Sequence, residues 1–423
     1  MTPKPTNNSQ GELFSQRLSD LLNPNHNLLL YAKLIDWKHL EKEFSDCFSD
    51  EGAPSKPVRL VTGIFMLQHM SGLSDEEVVK VWVENPYWQL FCGYDFLQWK
   101  CPLHFSSLSR WRKRLGKKGM QKILSETVRS ALAGDVIQER DLKSVIVDTT
   151  VMPKNIAYPT DSRLFYRSLK QLTRFAKRFN INLRQSYVFL AKKALRCVSQ
   201  YAHSRKMKQA RRETKRLKTY FGRVLREVER HIEQDAELKG ITSEWLSILR
   251  RIFEQKRTDS PKIYSVHEPQ VECISKGKAH KKYEFGCKVS VVTTHKQGFV
   301  LSSEALHGNP FDGHTLNQAL ADAESISETE ISRLFVDKGY RGNKVAGKEV
   351  FISGKRKLTT HFKKLLRRRQ AIEPVIGHMK SDGKLGRNYL KGKIGDCLNA
   401  ILCGIGYNIR LVLNHLGRKK QLA

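Results

Sequence analysis

The chain has 423 residues, 40% of them hydrophobic, and carries 75 Lys and Arg against 42 Asp and Glu, a formal net charge of +33. This length is too great for one compact domain and predicts two or three. Because self-repulsion of this size costs stability, the charge indicates a polyanionic partner: nucleic acid first, then a membrane surface, with ribosomal packing as a third possibility.

The cysteines and the hydropathy of the sequence indicate where in the cell the protein is expected to be. The eight cysteines include no CxxC pair, which argues against a zinc site. We find no signal peptide and no apolar run approaching the roughly 18 residues of a membrane span. We therefore expect a cytoplasmic protein with reduced thiols and no membrane partner.

Two stretches hold nearly all of the excess positive charge. Residues 161–260 contain 26 Lys and Arg and 10 Asp and Glu, a net of +16, and residues 355–423 contain 17 and 3, a net of +14. A charged run is often only a solvated helix face. Two such blocks on an otherwise balanced chain favour contact with nucleic acid instead.

Residues 13–133 are predicted to be mostly helical, and we assign residues 1–140 to an N-terminal domain for DNA binding or multimerisation. Ser74 can cap a helix that begins at Asp75. Another helix is predicted over residues 106–116, where Arg110 and Arg112 lie among further basic residues. It is either the exposed face of a helical bundle or part of a helix-turn-helix-like module that grips DNA ends.

The pattern changes to strand after Lys143. The β-branched run SVIVDTT (residues 144–150) predicts a buried strand with Asp148 at its end. Residues 159–255 are again helical and very basic, and we interpret about 161–260 as a helical insertion between two strands of a core sheet. Asp161 is a candidate helix N-cap there and Trp245 a packing residue.

The remaining chain alternates strands and helices. Two strands are predicted around a turn at residues 296–298, followed by a turn and helix in HGNPFDGHTL. A strand ending in Asp337, a short strand in EVFISG and a basic helical stretch carrying Glu373 follow. Residues 141–423 are therefore predicted to form an α/β domain with a mixed sheet.

Three acids occur in an order that would let them meet. Asp148 and Asp337 end core strands, and Glu373 can reach them from a helix packed on the sheet. An isolated strand-end Asp is usually a turn or capping residue, and clustered carboxylates raise one another's pKa. The cluster becomes reasonable around Mg²⁺ or Mn²⁺, which prefer oxygen ligands. Two such ions about 3.5–4 Å apart can hold the attacking and leaving oxygens of a phosphodiester.

Several segments resemble the transposases of the IS5 family of bacterial insertion sequences: IVDTT, HGNPFDGHTL, FVDKGYRG, RRRQAIEPVIGHMK and LGRNYLKGKIGDCLNAILCGIGYNIR. The resemblance covers roughly residues 52–413. It implies membership of the DDE group and an RNase H-like catalytic core. Asp148, Asp337 and Glu373 would then be the catalytic, metal-binding acids. The implied activity is metal-dependent cleavage of double-stranded DNA at terminal inverted repeats and strand transfer into target DNA, by a homodimer or higher multimer in the bacterial cytoplasm, on the nucleoid.

A signature of the related IS4-type enzymes, Tyr-x₂-Arg-x₃-Glu-x₆-Lys, is fitted by Arg369, Glu373 and Lys380, while Leu366 stands at the Tyr position. Helical spacing puts these three matching residues on one face, where Arg369 and Lys380 could hold DNA phosphates. Pro374 predicts a kink or a helix start beside Glu373.

Other side chains are weaker candidates. Lys338, Tyr340 and Arg341 follow Asp337 closely and, like Arg110 and Arg112, are candidate DNA contacts. Asp312 either touches the site or belongs to a turn with a helix cap.

Three rival interpretations stay open from the sequence. The protein could be a related nuclease that cuts without joining, a DNA-binding protein from a catalytically inactive element, or an RNA-binding scaffold that needs neither metal nor acids.

Overall fold

The computed structural model describes residues 16–47, 55–256, 258–275, 282–354 and 359–422. The chain divides into two compact units. The sheet unit comprises Met1–Pro153 and Cys287–Ala423, and the helical unit comprises Lys154–Gly286. The inserted unit is thus wider than the expected 161–260.

Helices account for most of the described chain. The α-helices of the sheet unit are α1 Leu18–Leu21, α2 Asn27–Leu34, α3 Trp37–Glu43, α4 Val58–Met70, α5 Asp75–Glu84, α6 Pro86–Phe91, α7 Phe105–Ala133, α8 Glu139–Leu142, α13 Asp312–Ser327, α14 Thr360–Arg367, α15 Ile372–Ser381 and α16 Gly392–Leu422. Those of the helical unit are α9 Asp161–Arg178, α10 Val188–His203, α11 Met207–Glu233 and α12 Ala236–Glu254. Short 3-10 helices span Ser45–Cys47, Lys338–Tyr340 and Arg368–Ala371.

The strands form one mixed sheet. They are β1 Ser144–Pro153, β2 Glu272–Ser275, β3 Tyr283–Thr294, β4 Val300–Leu306, β5 Arg333–Val336 and β6 Glu349–Ile352. The order is β2-β3-β1-β5-β6, with β4 also paired to β3. β5 runs parallel to both β1 and β6, whereas β3 and β4 form an antiparallel hairpin. The predicted α/β class with a mixed sheet is therefore confirmed.

The N-terminal helices share one hydrophobic core with the sheet. Ile64 and Trp82 belong to the same buried cluster as Val147 of β1, Leu334 of β5 and Leu402 of α16. Burial of this continuous apolar surface stabilises helices and sheet together. The boundary expected after residue 140 therefore does not separate two compact units.

Two local features of the N-terminal helices follow from sequence. The Ser74 hydroxyl accepts a hydrogen bond from the Glu77 amide, and the Glu77 carboxylate accepts one from the Ser74 amide. This is the capping box predicted for the start of α5. The helix predicted to open within residues 106–116 begins at Phe105. A kink at Gly116, with φ +60° and ψ −165°, divides α7 into two helical stretches, and this conformation is open almost only to glycine.

The last helix, α16, is a core helix of the sheet unit. Among the described residues, Gly392–Gln421 is long and apolar enough to cross a membrane, so the expectation that no apolar run approaches that length is wrong. Inside the protein, 78% of its most apolar window is buried. It packs on α4, α7 and β4, as expected for an apolar helix at the centre of a folded unit.

The helical unit has its own core, formed by the apolar faces of α9–α12. Phe221 and Leu249 are fully buried in it, and Trp245 packs on Phe175 with ring centroids 5.0 Å apart. The packing role predicted for Trp245 is thus confirmed. Thr160, rather than Asp161, caps α9, since its hydroxyl accepts a hydrogen bond from the Arg163 amide.

Candidate active site

Asp148 and Asp337 each come directly after a residue that is paired between two parallel strands. The register pairs Val147 of β1 with Val336 of β5, so each Asp is the next residue along its strand. Parallel strands bring such positions to the same level of a sheet. Asp148 lies inside β1, which continues to Pro153, whereas Asp337 follows the end of β5 as predicted.

Arg369 bridges the two carboxylates. Its Nη1 lies 3.6 Å from Asp148 Oδ2, and its Nη2 lies 3.8 Å from Asp337 Oδ1. The Asp148 side chain is 23% exposed and that of Asp337 50% exposed, so both open towards solvent. The guanidinium offsets the repulsion between two acids that the strands hold close together.

Asp312 touches this site as well. It is the first residue of α13, and its Oδ1 accepts hydrogen bonds from the Thr149 hydroxyl and the Lys288 ammonium, both at 3.1 Å. A Cβ at Gly339 would lie 3.0 Å from Asp312 Oδ2, so α13 closely approaches the turn after Asp337. Of the two alternatives for Asp312, the structure forms the contact with the site, because Asp312 bonds Thr149 beside Asp148 and its side chain does not cap α13.

Tyr340, which the sequence offered with Lys338 and Arg341 as a candidate DNA contact, lies inside the site instead. Its side chain is buried, and its hydroxyl has no hydrogen-bond partner in the described part of the chain. Burial raises the pKa of this phenol first, and the charges of Asp148, Asp312 and Asp337 raise it further. The phenol therefore lies near the three aspartates, and its burial is inconsistent with the direct DNA contact suggested by its position after Asp337.

Within the described chain, Glu373 does not join the two aspartates in a group that could hold a metal ion. The chain forms a 3-10 turn at Arg368–Ala371, and α15 then begins at Ile372. Pro374 lies in the first helical turn, where its lack of an amide costs no helix bond, so the helix start is the correct one of the two alternatives. Glu373 is exposed at this start.

The expected single helical face carrying Arg369, Glu373 and Lys380 is wrong, because Arg369 precedes α15. Across the described ranges, no three His, Cys, Asp or Glu side chains form a group that could hold a metal ion. Two carboxylates on adjacent strands do fit a hard divalent cation, which prefers such oxygens. The assignment of Glu373 as a third ligand stays a prediction.

The other candidate DNA contacts differ in accessibility. Lys338, Arg341 and Arg110 are exposed, and Lys380 is half-buried. Arg112 is only 4% exposed and pairs with Asp75, so it is not the surface cation that the sequence suggested.

Comparison with known proteins identifies the class. Residues 16–114, which hold α1–α6 and the start of α7, match the transposase domain DUF772. An uncharacterized protein of Rhizobium meliloti, ORF8 in the nfe locus, is 43% identical over 205 residues, which are 48% of this chain and 99% of that protein. No solved structure matches the chain. The chain thus belongs to a transposase family, together with the ORF8 protein.

Proposed function

We propose that the protein is a DNA transposase of the IS5 family and the DDE group, with an RNase H-like catalytic core. It would cleave phosphodiesters at terminal inverted repeats and transfer the strands to target DNA. The observation that carries this proposal is the pair Asp148 and Asp337, set side by side by the β1–β5 register in a chain of charge +33. Two carboxylates at one level of a sheet are suited to share a divalent ion.

Asp148 and Asp337 would hold Mg²⁺ or Mn²⁺, with Glu373 as the third ligand on the strength of the resemblance. The bound metal would supply a lowered pKa for the attacking water or 3′-hydroxyl and charge stabilisation for the phosphorane. Arg369 neutralises the aspartates in this structure. Once a metal cation neutralises the two aspartates instead, the Arg369 guanidinium would be available to bind a DNA phosphate.

Exposed cations would hold double-stranded DNA around the acids. Lys338 and Arg341 lie within four residues after Asp337 and, like Arg110 of α7, are exposed, while Lys380, near the end of α15, is half-buried. Their charges would give binding that weakens steeply with salt. We further propose a homodimer or higher multimer on DNA in the bacterial cytoplasm.

One observation favours a second candidate. Glu373 is exposed, and the described residues hold no three-acid group around the aspartates. A protein from an inactive element, which binds DNA without cutting it, would tolerate that arrangement, whereas a related nuclease without joining activity would need the same acids as the transposase.

The test is metal-dependent nicking of a labelled duplex that carries the element's own end. We expect nicking by the wild type with Mg²⁺, and about 1000-fold slower nicking by Asp337→Asn with DNA binding retained, since a metal supplies several kcal/mol. Glu349→Gln is the matched control, because this exposed acid on β6 pairs with Arg333 at the surface. Tight binding without nicking by the wild type would favour the inactive-element candidate, and full nicking by Asp337→Asn would refute the site.

A further inference from the structure

A cavity of about 750 Å³ lies in the sheet unit, apart from the residues of the acid site. It is lined by the end of α4, the start of α5, the first third of α7 and the segment between α15 and α16. This volume is in the range of sites that bind small molecules or parts of larger ones. Its lining is rich in cations, including Arg112, Lys384 and Arg387.

Arg112 is built into the wall with one donor unused. Its Nη1 donates to Asp75 Oδ2 at 2.8 Å and its Nη2 to Gln68 Oε1 at 3.0 Å. Its Nε is buried and has no acceptor among the described residues. The Arg112 guanidinium is thus held in place by Asp75 and Gln68, and its positive charge is part of the cavity lining.

His69 adds a second unsatisfied polar group to the same wall. Its side chain lines the cavity at 2% exposure, and its Nδ1 has no partner in the described ranges. Burial, followed by the charges of Arg112 and Lys384, lowers the pKa of His69 well below its usual range. The neutral imidazole can therefore offer one hydrogen bond without adding a further buried charge.

The segment between α15 and α16 supplies further cations to the cavity lining. Lys384 is half-buried and forms no ion pair with a described residue, while its carbonyl accepts a bond from Asn399 at 3.1 Å. The Arg387 guanidinium lies 5.8 Å from the ring centroid of Tyr389, which is 59% exposed. A half-buried ammonium without a counter-ion favours an anionic ligand.

The two acids that line the cavity are already engaged. Asp75 binds Arg112 and Gln68, and Glu77 accepts the Ser74 amide at 2.8 Å. Neither carboxylate forms an ion pair with Lys384 or Arg387 in the described part of the chain. A cation would therefore be repelled, and an apolar ligand would leave the orphaned donors unsatisfied.

We propose that this cavity binds a phosphodiester of a DNA strand, with an adjacent base stacked on Tyr389. The Lys384 ammonium would donate to the phosphate oxygens, and Arg112 and Arg387 would contribute positive charge to the lining. A groove of cations with an exposed aromatic ring is the combination that holds single strands. This assignment rests on the proposed function, because it takes DNA as the ligand.

Helix α15 connects the cavity with Glu373, one of the predicted catalytic acids. Lys380 lines it and lies seven residues after Glu373 on α15. That separation is about 10 Å along the helix axis. A strand held in the cavity and running along α15 would pass the end of the helix that carries Glu373.

The test is fluorescence anisotropy of a short labelled single-stranded oligonucleotide from the element's end, measured in an Asp337→Asn background. We expect Lys384→Gln and Arg387→Gln each to bind about fivefold to tenfold more weakly and to lower the salt slope by about 0.7. Tyr389→Ala should weaken binding about tenfold, as loss of one stacked base does. Lys38→Gln, which removes an exposed lysine of α3 outside the cavity, should change the affinity less than about twofold.

Affinity and salt slope equal to those of Lys38→Gln would overturn the proposal. Arg387→Gln still decides the question if Lys384→Gln folds poorly, because the Arg387 side chain is exposed. Inorganic phosphate is the second probe. If it raises the thermal stability of wild type but not of Lys384→Gln, while oligonucleotide binding is unchanged, the cavity takes small anions and the DNA assignment is wrong.

These experiments distinguish a failure of the proposal that the cavity binds DNA from a failure of the proposal that the protein cleaves DNA. Nicking by the wild type together with unchanged DNA binding by the cavity variants refutes only the proposal that the cavity binds DNA. Weakened binding by the cavity variants without nicking by the wild type refutes only the cleavage activity.

Discussion

The strand pair β1–β5 and the helical segment Thr360–Ser381 place their predicted acids in different ways. Asp148 and Asp337 follow residues paired in the sheet, so backbone hydrogen bonds determine their separation. Glu373 lies at a helix start, and its position depends on how that segment packs on the sheet. Two clusters provide this packing: Ile372 packs with Ile146 and Phe335, and Val375 and Met379 belong to a second buried cluster.

The difference shows which part of the site is preformed. Strand register holds two carboxylates together even though they repel, and Arg369 offsets their charges from the helical segment. Glu373, which lies on the helical segment, is exposed instead. Pairing within a sheet is specified residue by residue, whereas a helix on a few apolar contacts can present another face at lower cost.

The largest expected effect tests whether the two regions form one site. We expect Glu373→Gln to slow Mg²⁺-dependent nicking about 100-fold to 1000-fold, comparable to Asp337→Asn, because a shared ion needs both regions. The readout is nicking of the labelled duplex, with Glu349→Gln as the acid control. A loss below about threefold would confine the chemistry to the strand pair.

A smaller effect is expected from loosening the contact between the regions. Ile372→Ala removes a fully buried side chain and should lower the free energy of unfolding by about 2–4 kcal/mol, measured by urea denaturation. Nicking should fall as well, because α15 loses part of its packing on the sheet. Ile394→Ala, at an exposed position of α16, should stay within about 0.5 kcal/mol. Equal effects of the two substitutions would show that the cluster around Ile372 does not hold α15.

The smallest effect concerns the guanidinium between the regions. Without DNA, Arg369→Gln should bind Mn²⁺ about threefold to tenfold more tightly, because a cation that competes for Asp148 and Asp337 is removed. Isothermal titration measures this change. The control is Arg368→Gln, since the neighbouring Arg368 donates to the His295 carbonyl at 3.0 Å and not to the aspartates. Weaker metal binding by Arg369→Gln would mean that the arginine supports the metal site.

Much of this protein was determined by local sequence. The run SVIVDTT predicts β1, Ser74 and Glu77 predict the cap of α5, and the alternation after residue 260 predicts the mixed sheet. These features depend on residues close in sequence, through side-chain alternation and hydrogen bonds within one helical turn. The charge of +33 and the order of the acids likewise needed no structure.

Contacts between distant elements were decided only by the tertiary structure. Packing brought Asp312 to Thr149, joined the N-terminal helices to the sheet core, and buried Arg112, which the sequence had offered as a surface cation. It also placed Arg369 between two aspartates while leaving Glu373 exposed. Local patterns set which face of an element is apolar, but the close packing of whole elements selects which polar side chains meet.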